Sequence, residues 1–286
     1  MAGPETDLRS AQKARARALI IPREHGAWGL LLVPLFTGAA SGIAANHEVW
    51  PVVWFTLAVL ALFWLRTPAE SLLGGSPLRA QTASERKAAI LMCAFLAVIA
   101  SACLAALMMN GRHRGLFLFG VIVGLILLVQ AVLKKLSRKL RMEAEIVGAL
   151  GLTCVAPAAY YVATGQIDVR AWGLWAANGL FAGNQIHFVH LRVHAARAAT
   201  FAEKFSQGRW FFLNQMLMLP ALLLVSRAHY LPGLTAIAFV PLFIRGVYWF
   251  VRGPAPLKIK RLGWSEMAHG ILFGFLLAVA FNLSRR

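Results

Sequence analysis

Long, mostly apolar runs with almost no charged residues recur along the whole chain and determine its predicted structure. A helix needs roughly 20 mostly apolar residues to cross about 30 Å of hydrocarbon. Nine runs of about this length are present, separated by short polar connectors. They lie at residues 27–45, 49–65, 88–109, 116–133, 146–164, 172–190, 211–225, 231–251 and 267–283. The pattern predicts about nine transmembrane helices.

Helices are the only secondary structure that fits these runs. Lipid offers no hydrogen-bond partner to an open strand edge, and the runs are far longer than the alternating segments of a membrane β-barrel. The connectors are too short to form a separate soluble domain. We therefore expect an all-α, polytopic membrane helical bundle, with a cytoplasmic basic segment at 1–25 and a single transmembrane domain at 26–286.

The composition agrees with a membrane protein. Hydrophobic residues make up 59% of the 286 positions and charged residues 14%, whereas a soluble domain is about a quarter charged. A formal net charge of +18 would favour a nucleic-acid partner in a soluble protein. The basic segments here lack the interleaved aromatic residues of a nucleic-acid surface. We therefore expect membrane lipid, and no nucleic acid, as the partner.

The distribution of Lys and Arg predicts an orientation. If the nine runs are crossings, one alternate set of connectors holds 22 of the 29 Lys and Arg residues. The opposite set holds six, and Arg245 lies within a run. Cytoplasmic loops of membrane proteins collect Lys and Arg. The N-terminus is therefore predicted to be cytoplasmic and the C-terminus to lie outside.

Ionisable residues gather at the predicted cytoplasmic ends of the spans. Their burial there is costly unless they are paired or used, so they are good indicators of a site. The densest group closes the sixth span, where helical spacing places its His and Arg members on one face. The candidate ligand-binding residues are Arg23, Glu24, His25, Trp28, Arg66, Glu70, Asn184, His187, His190, His194 and Arg197.

The group on the sixth span has three interpretations. His187, His190 and His194 could ligate Zn²⁺, copper or haem iron if another element supplied a further ligand. Together with Arg197 they could instead hold a phosphate or carboxylate headgroup. They could also be interfacial side chains that pack on neighbouring helices. No metal or other cofactor is assigned from this pattern alone.

Several motifs resemble the YwiC-like family of bacterial membrane proteins. The most specific is PREHGAW at residues 22–28, followed by LLVP at 31–34. The turn that holds Arg66, Pro68 and Glu70, the segment EIVGALG at 145–151 and the segment KRLGWSE at 260–266 also fit. The resemblance implies a protein of the bacterial inner membrane and gives no reaction.

The architecture is also similar to the UbiA superfamily of intramembrane prenyltransferases, which has nine helices and active-site loops after helices two and six. This similarity implies a central cavity that opens to lipid and holds an isoprenoid headgroup at its cytoplasmic end. The Asp-rich motifs that hold Mg²⁺ and diphosphate in that superfamily are missing, since the only aspartates are Asp7 and Asp168. A Mg²⁺-diphosphate site is therefore not expected.

Three functions stay open at this point. The protein could bind an isoprenoid, a quinone or another amphipathic anion through His, Arg and Glu side chains in a lipid-accessible cavity. It could be a UbiA-like prenyltransferase or a related lipid-modifying enzyme, with Glu70 or Glu145 as the general base. It could also be a small-solute transporter or a haem- or metal-handling protein. We expect the second and sixth spans to lie together, and the sequence predicts no oligomeric state.

Overall fold

The described chain is helical apart from short connectors. A computed structural model describes residues 15, 19–21, 25–73, 79–137, 140–198, 200–253 and 257–284, and no strand occurs in these ranges. The helices are α1 (His25–Asn46), α2 (Trp50–Leu73), α3 (Ala83–Met109), α4 (His113–Leu136), α5 (Arg141–Thr153), α6 (Val155–Thr164), α7 (Val169–His194), α8 (Phe201–Arg227), α9 (Thr235–Val251) and α10 (Ile259–Leu283). The predicted all-α class is confirmed.

Each predicted apolar run overlaps one helical rod. The fifth run forms two consecutive helices, α5 and α6, which together count as one rod. Seven rods of the described chain are long and apolar enough to cross a membrane. Of the other two, α9 has only 17 residues, and α7 carries several polar side chains along its 26 residues. The polytopic membrane class is confirmed, whereas nine crossings and their orientation stay predictions.

The break between α5 and α6 has a local cause. Pro157 has no backbone N–H, so the carbonyl of Thr153 lacks its usual helical donor four residues later. The N–H of Cys154 donates to the carbonyl of Gly151 at 3.3 Å, which is the tighter pattern of a 3₁₀ turn. A single predicted span is therefore built from two short helices.

Capping boxes fix the starts of α3 and α8. The hydroxyl of Thr82 accepts from the N–H of Glu85, and the carboxylate of Glu85 accepts from the N–H of Thr82, both at 3.2 Å. Thr200 and Glu203 make the same exchange at α8. These bonds satisfy donors that a helix start leaves unpaired. Both helices therefore begin several residues before their apolar runs.

The structure divides into two compact units. The first holds the described residues of Met1–His25 together with Trp50–Gly111, and the second comprises Gly26–Val49 and Arg112–Arg286. In the first unit α2 packs on α3 through an apolar cluster. Its members are Ala61, Trp64, Leu65, Met92, Leu96, Ile99 and Ala100. A single transmembrane domain at 26–286 stays a prediction.

The second unit has an apolar core that α1 shares with α6 to α10. Phe181 of α7 stacks on Phe273 of α10 with ring centroids 4.2 Å apart. Phe239 of α9 meets the same ring edge-on at 5.1 Å. From these rings towards the C-terminal ends of α7 and α9 and the start of α10, polar side chains join the core. The candidate site lies at this polar end.

Candidate functional site

A buried ion pair lies at the polar end of the core. Arg245 on α9 donates from Nη1 to Oε2 of Glu266 on α10, and both side chains are only 7% exposed. Nη2 of Arg245 donates to Oδ1 of Asn184 on α7 at 3.0 Å. The guanidinium carbon also lies 4.2 Å from the ring centroid of Phe188. One guanidinium therefore joins three helices.

The position of this pair makes it a candidate for function. Ionisable side chains within apolar helices are rare, because an unpaired charge there is costly, and those that occur usually serve a function. Gln185 of α7 donates to the main-chain carbonyl of Glu266 at 3.0 Å, which holds the start of α10 against α7. Hydrogen bonds therefore hold the pair in place through its side chains and through the main chain of Glu266.

Several polar atoms near the pair lack partners within the described residues. They include Nε of Arg245 and Oε1 of Glu266. Gln215 on α8 is fully buried against Gly246, and both its amide atoms lack a hydrogen bond within those residues. A buried polar group without a partner costs about 1–3 kcal/mol. We therefore expect water or a polar ligand to reach this region.

A cavity of about 770 Å³ opens beside the ion pair. Its size is within the range of ligand pockets, about 300–1,000 Å³. It is lined by the C-terminal parts of α7 and α9 and by the start of α10. Arg245 faces it from inside, and no lining residue of the described chain is acidic. Four further cations, called here the rim cations, also line it: Arg192, Arg252, Lys258 and Arg261.

The rest of the cavity wall is mainly apolar. Pro241, Ile244, Tyr248 and Leu262 supply much of this surface. Ile244 is 59% exposed and Tyr248 is 56% exposed. The cavity wall is therefore continuous with exposed apolar surface on α9.

A second buried cation supports the end of α9. Lys204 on α8 is 3% exposed, and its ammonium donates to the carbonyl of Trp249 at 3.1 Å and to that of Arg252. The ammonium nitrogen also lies 5.4 Å from the ring centroid of Trp249. The last carbonyls of a helix have no intrahelical donor. Lys204 satisfies two of them and so positions two residues that line the cavity.

The predicted histidines lie outside this cavity lining. Nε2 of His190 lies 2.7 Å from Oε2 of Glu145 on α5. Nδ1 of His194 lies 2.8 Å from the main-chain carbonyl of His190. His187 packs edge-on against an aromatic ring of α8, with centroids 5.2 Å apart. Among the residues selected on α7, Asn184 is the one that contacts the buried ion pair.

The other predicted site residues are distributed along the chain. Nε of Arg66 and Oε1 of Glu70 form an exposed salt bridge on α2 at 2.7 Å. Arg197 is exposed, and Trp28 lies within α1. Three predicted residues have side chains outside the described part of the structure: Arg23, Glu24 and His25. The proximity of the second and sixth spans stays a prediction.

Both carboxylate oxygens of Glu145, a predicted candidate for the general base, have hydrogen-bond partners in the structure. Its Oε1 accepts from Nε of Arg141 at 3.1 Å, and its Oε2 lies 2.7 Å from Nε2 of His190. Both carboxylate oxygens are therefore engaged. In the part of the chain that the structure describes, no three His, Cys, Asp or Glu side chains are placed to hold a metal ion.

Sequence reasoning missed the cavity because it treated the rim cations as orientation signals. A usable signal was Arg245, the one Lys or Arg within a predicted run. A charge at that position needs a partner. Glu266, at the predicted start of the next span, is the partner that the structure provides.

Residues 21–160 match a protein family described as YwiC-like protein. This confirms the resemblance that the motifs indicate, over just under half of the chain. The matched region ends before α7, so it does not include the helices that line the cavity. No curated protein and no solved structure matches the chain. The UbiA-like architecture stays a prediction.

Proposed function

We propose that this membrane protein with a YwiC-like region binds an amphipathic anion in the cavity between α7, α9 and α10. Ligands of this class include anionic lipids and isoprenoid or quinone-like molecules with an anionic headgroup. The headgroup lies against the rim cations, and the apolar part lies along Ile244 and Tyr248. The observation that carries the proposal is the combination of five cations and an apolar wall in one cavity.

The charge balance of the cavity favours an anion. Glu266 already compensates Arg245, whereas no lining carboxylate of the described chain compensates the rim cations. Guanidinium groups bind phosphate or carboxylate through two parallel hydrogen bonds. A basic residue near the membrane surface contributes about 1 kcal/mol to the attraction of an anionic lipid. The four rim cations together therefore contribute roughly 4 kcal/mol to the attraction of an anionic headgroup.

The apolar wall explains why the ligand is amphipathic. Ile244 and Tyr248 connect the cavity to the lipid-facing surface. A lipid headgroup can enter the cavity while its chains remain in the bilayer. A small soluble anion would contact the rim cations but would have no apolar part to bury against the wall, so its binding would be weaker.

The location of the cavity also supports a lipid ligand. The ends of α7 and α9 and the start of α10 lie beside connectors that belong to the Lys- and Arg-rich set. On the orientation rule for membrane proteins, this end faces the cytoplasm. We therefore place the site at the cytoplasmic surface of the bacterial inner membrane, where its ligand enters from the inner leaflet.

Binding of a short-chain anionic lipid tests the proposal. The probe is dioctanoyl phosphatidylglycerol, added to protein held in phosphatidylcholine nanodiscs. Replacing two rim cations, Arg252→Gln with Arg261→Gln, should weaken binding by about 30-fold, since two contacts of about 1 kcal/mol each are lost.

The matched control removes the same charge elsewhere. Lys134 and Lys135 are exposed in the last turn of α4, and Lys134→Gln with Lys135→Gln should leave the affinity unchanged. Equal weakening in both double variants would mean that surface charge alone attracts the lipid. That result would contradict a site in the cavity.

A further inference from the structure

We propose that anion binding at Arg245 is coupled to proton uptake by Glu266, so that the cavity takes up its ligand together with a proton. The inference rests on the proposed function, because it requires an anion in the cavity. It adds a form of regulation to that site, because the affinity for the anion rises as the proton concentration rises.

Arg245 is placed to serve a carboxylate and a ligand at once. Its Nη1 donates to Glu266 and its Nη2 to Asn184, while the side chain also lines the cavity. Its Nε has no partner among the described residues. An anion that reaches the inner end of the cavity therefore meets the side chain of Arg245, whose buried Nε is a donor still without a partner in the described structure. The charge of that guanidinium is already balanced by Glu266.

One buried cation cannot balance two buried anions. An uncompensated buried ion costs several kcal/mol, even after local relaxation. The side chain of Glu266 is 7% exposed, so water gives it little stabilisation. When the ligand brings a second negative charge, neutralising Glu266 with a proton removes this cost.

The carboxyl group has an oxygen available for that proton. Oε2 of Glu266 accepts from Arg245, whereas Oε1 is buried and without a partner in the described structure. A hydronium ion or a protonated buffer molecule can give its proton to Oε1, so that one O–H bond forms on the carboxyl group and one bond to hydrogen breaks in the donor. Oε2 then still accepts from Arg245. The full positive charge of the guanidinium becomes available to the ligand.

The groups that face Glu266 from other helices do not replace it as proton acceptor. From α7, Gln185 is neutral, and Arg192 keeps its charge at all relevant pH values. From α9, Arg245 likewise stays charged. The contact of α1 with α10 is apolar, through Val33 beside Gly270.

His269 is a second possible proton acceptor near Glu266, because a neutral imidazole has one ring nitrogen that can accept a proton. It lies on α10, about one turn after Glu266, and it also lines the cavity. Its Nδ1 is 2.7 Å from the main-chain carbonyl of Ser265. The experiment must therefore separate the histidine from the carboxylate.

Calorimetry of dioctanoyl phosphatidylglycerol binding measures the coupling directly. This phosphodiester keeps one negative charge through the neutral range, so it contributes no protons itself. Titrations of nanodisc-embedded protein in two buffers with different ionisation enthalpies give the protons taken up per lipid bound. We expect wild-type protein to take up about one proton, with the affinity rising about tenfold for each unit that the pH falls.

Three variants assign the proton. Glu266→Gln keeps an acceptor for Arg245 and should bind the lipid with no proton uptake and no pH dependence. His269→Gln should keep the uptake of one proton per lipid bound, whatever its effect on the affinity, since His269 lines the cavity. Glu143→Gln, at an exposed carboxylate of α5, is the matched control and should behave as wild type. If Glu266→Gln does not fold, uptake by wild type that His269→Gln retains still supports the proposal.

The outcomes separate this inference from the proposed function. Binding by wild type without proton uptake would overturn the coupling and leave the proposed function intact, because the anion would then be held at the rim. A failure to bind at any pH would overturn both. Uptake that persists in Glu266→Gln but disappears in His269→Gln would assign the proton to the histidine and overturn the inference.

Discussion

Replacing Glu266 with leucine should strongly destabilise the protein. The change leaves the guanidinium of Arg245 buried, with a side chain that is 7% exposed in the intact pair. Arginine cannot lose its proton in a protein, so the charge persists. Breaking a buried ion pair by removing one partner costs about 3–5 kcal/mol. We expect a loss of this size in the free energy of unfolding for Glu266→Leu.

The double variant Arg245→Leu with Glu266→Leu should recover most of that loss. Replacing a buried ion pair with apolar side chains is neutral or stabilising by about 1–4 kcal/mol. Asn184 would lose the donor to its Oδ1, which costs about 1–3 kcal/mol. These terms cancel at the middle of their ranges, so the double variant should lie close to wild type and be clearly more stable than Glu266→Leu.

Unfolding in mixed micelles by titration with sodium dodecyl sulfate measures these differences. Glu70→Leu is the control, since it breaks an Arg–Glu pair in which Glu70 is 41% exposed. Exposed pairs contribute about 0–1 kcal/mol. A loss below about 1 kcal/mol for Glu266→Leu, or a double variant no more stable than that single variant, would refute the reasoning.

Two further predictions concern the end of α9 and the topology. Lys204→Met keeps an unbranched apolar stem but removes the donor to the carbonyls of Trp249 and Arg252, so thermal unfolding should show a loss of about 1–3 kcal/mol. The same variant should bind phosphatidylglycerol more weakly, whereas unchanged stability and affinity would contradict this role. Alkaline phosphatase fused after the last residue should be active and green fluorescent protein should be dark, because nine crossings place the C-terminus outside. A fluorescent fusion would require an even number of crossings.

The helices were predictable because the membrane constrains length and hydropathy together. The helix ends were less predictable, since they depend on local polar groups. Glu85 closes a capping box with Thr82 and starts α3 before its apolar run. Pro157 breaks the fifth span into two helices. Neither effect changes the number of predicted runs, so the coarse architecture is insensitive to them.

The site was less predictable because three helices distant in sequence build it. The spacing of His187, His190 and His194 predicted a shared face, but spacing along one helix does not show which neighbours meet that face. Glu145 engages His190, and the cavity lies elsewhere on α7. Arg245 was visible in the sequence as an isolated charge. Its role required the fold that brings α10 against α9.

Native mass spectrometry of gently purified protein tests the central claim most directly. The wild-type protein and the Lys134→Gln, Lys135→Gln control should each retain an anionic, lipid-like molecule. The Arg252→Gln, Arg261→Gln variant should lose it while remaining folded. Retention of neutral or zwitterionic lipid alone by wild type, or equal retention of the anion by all three proteins, would contradict an anion site in the cavity.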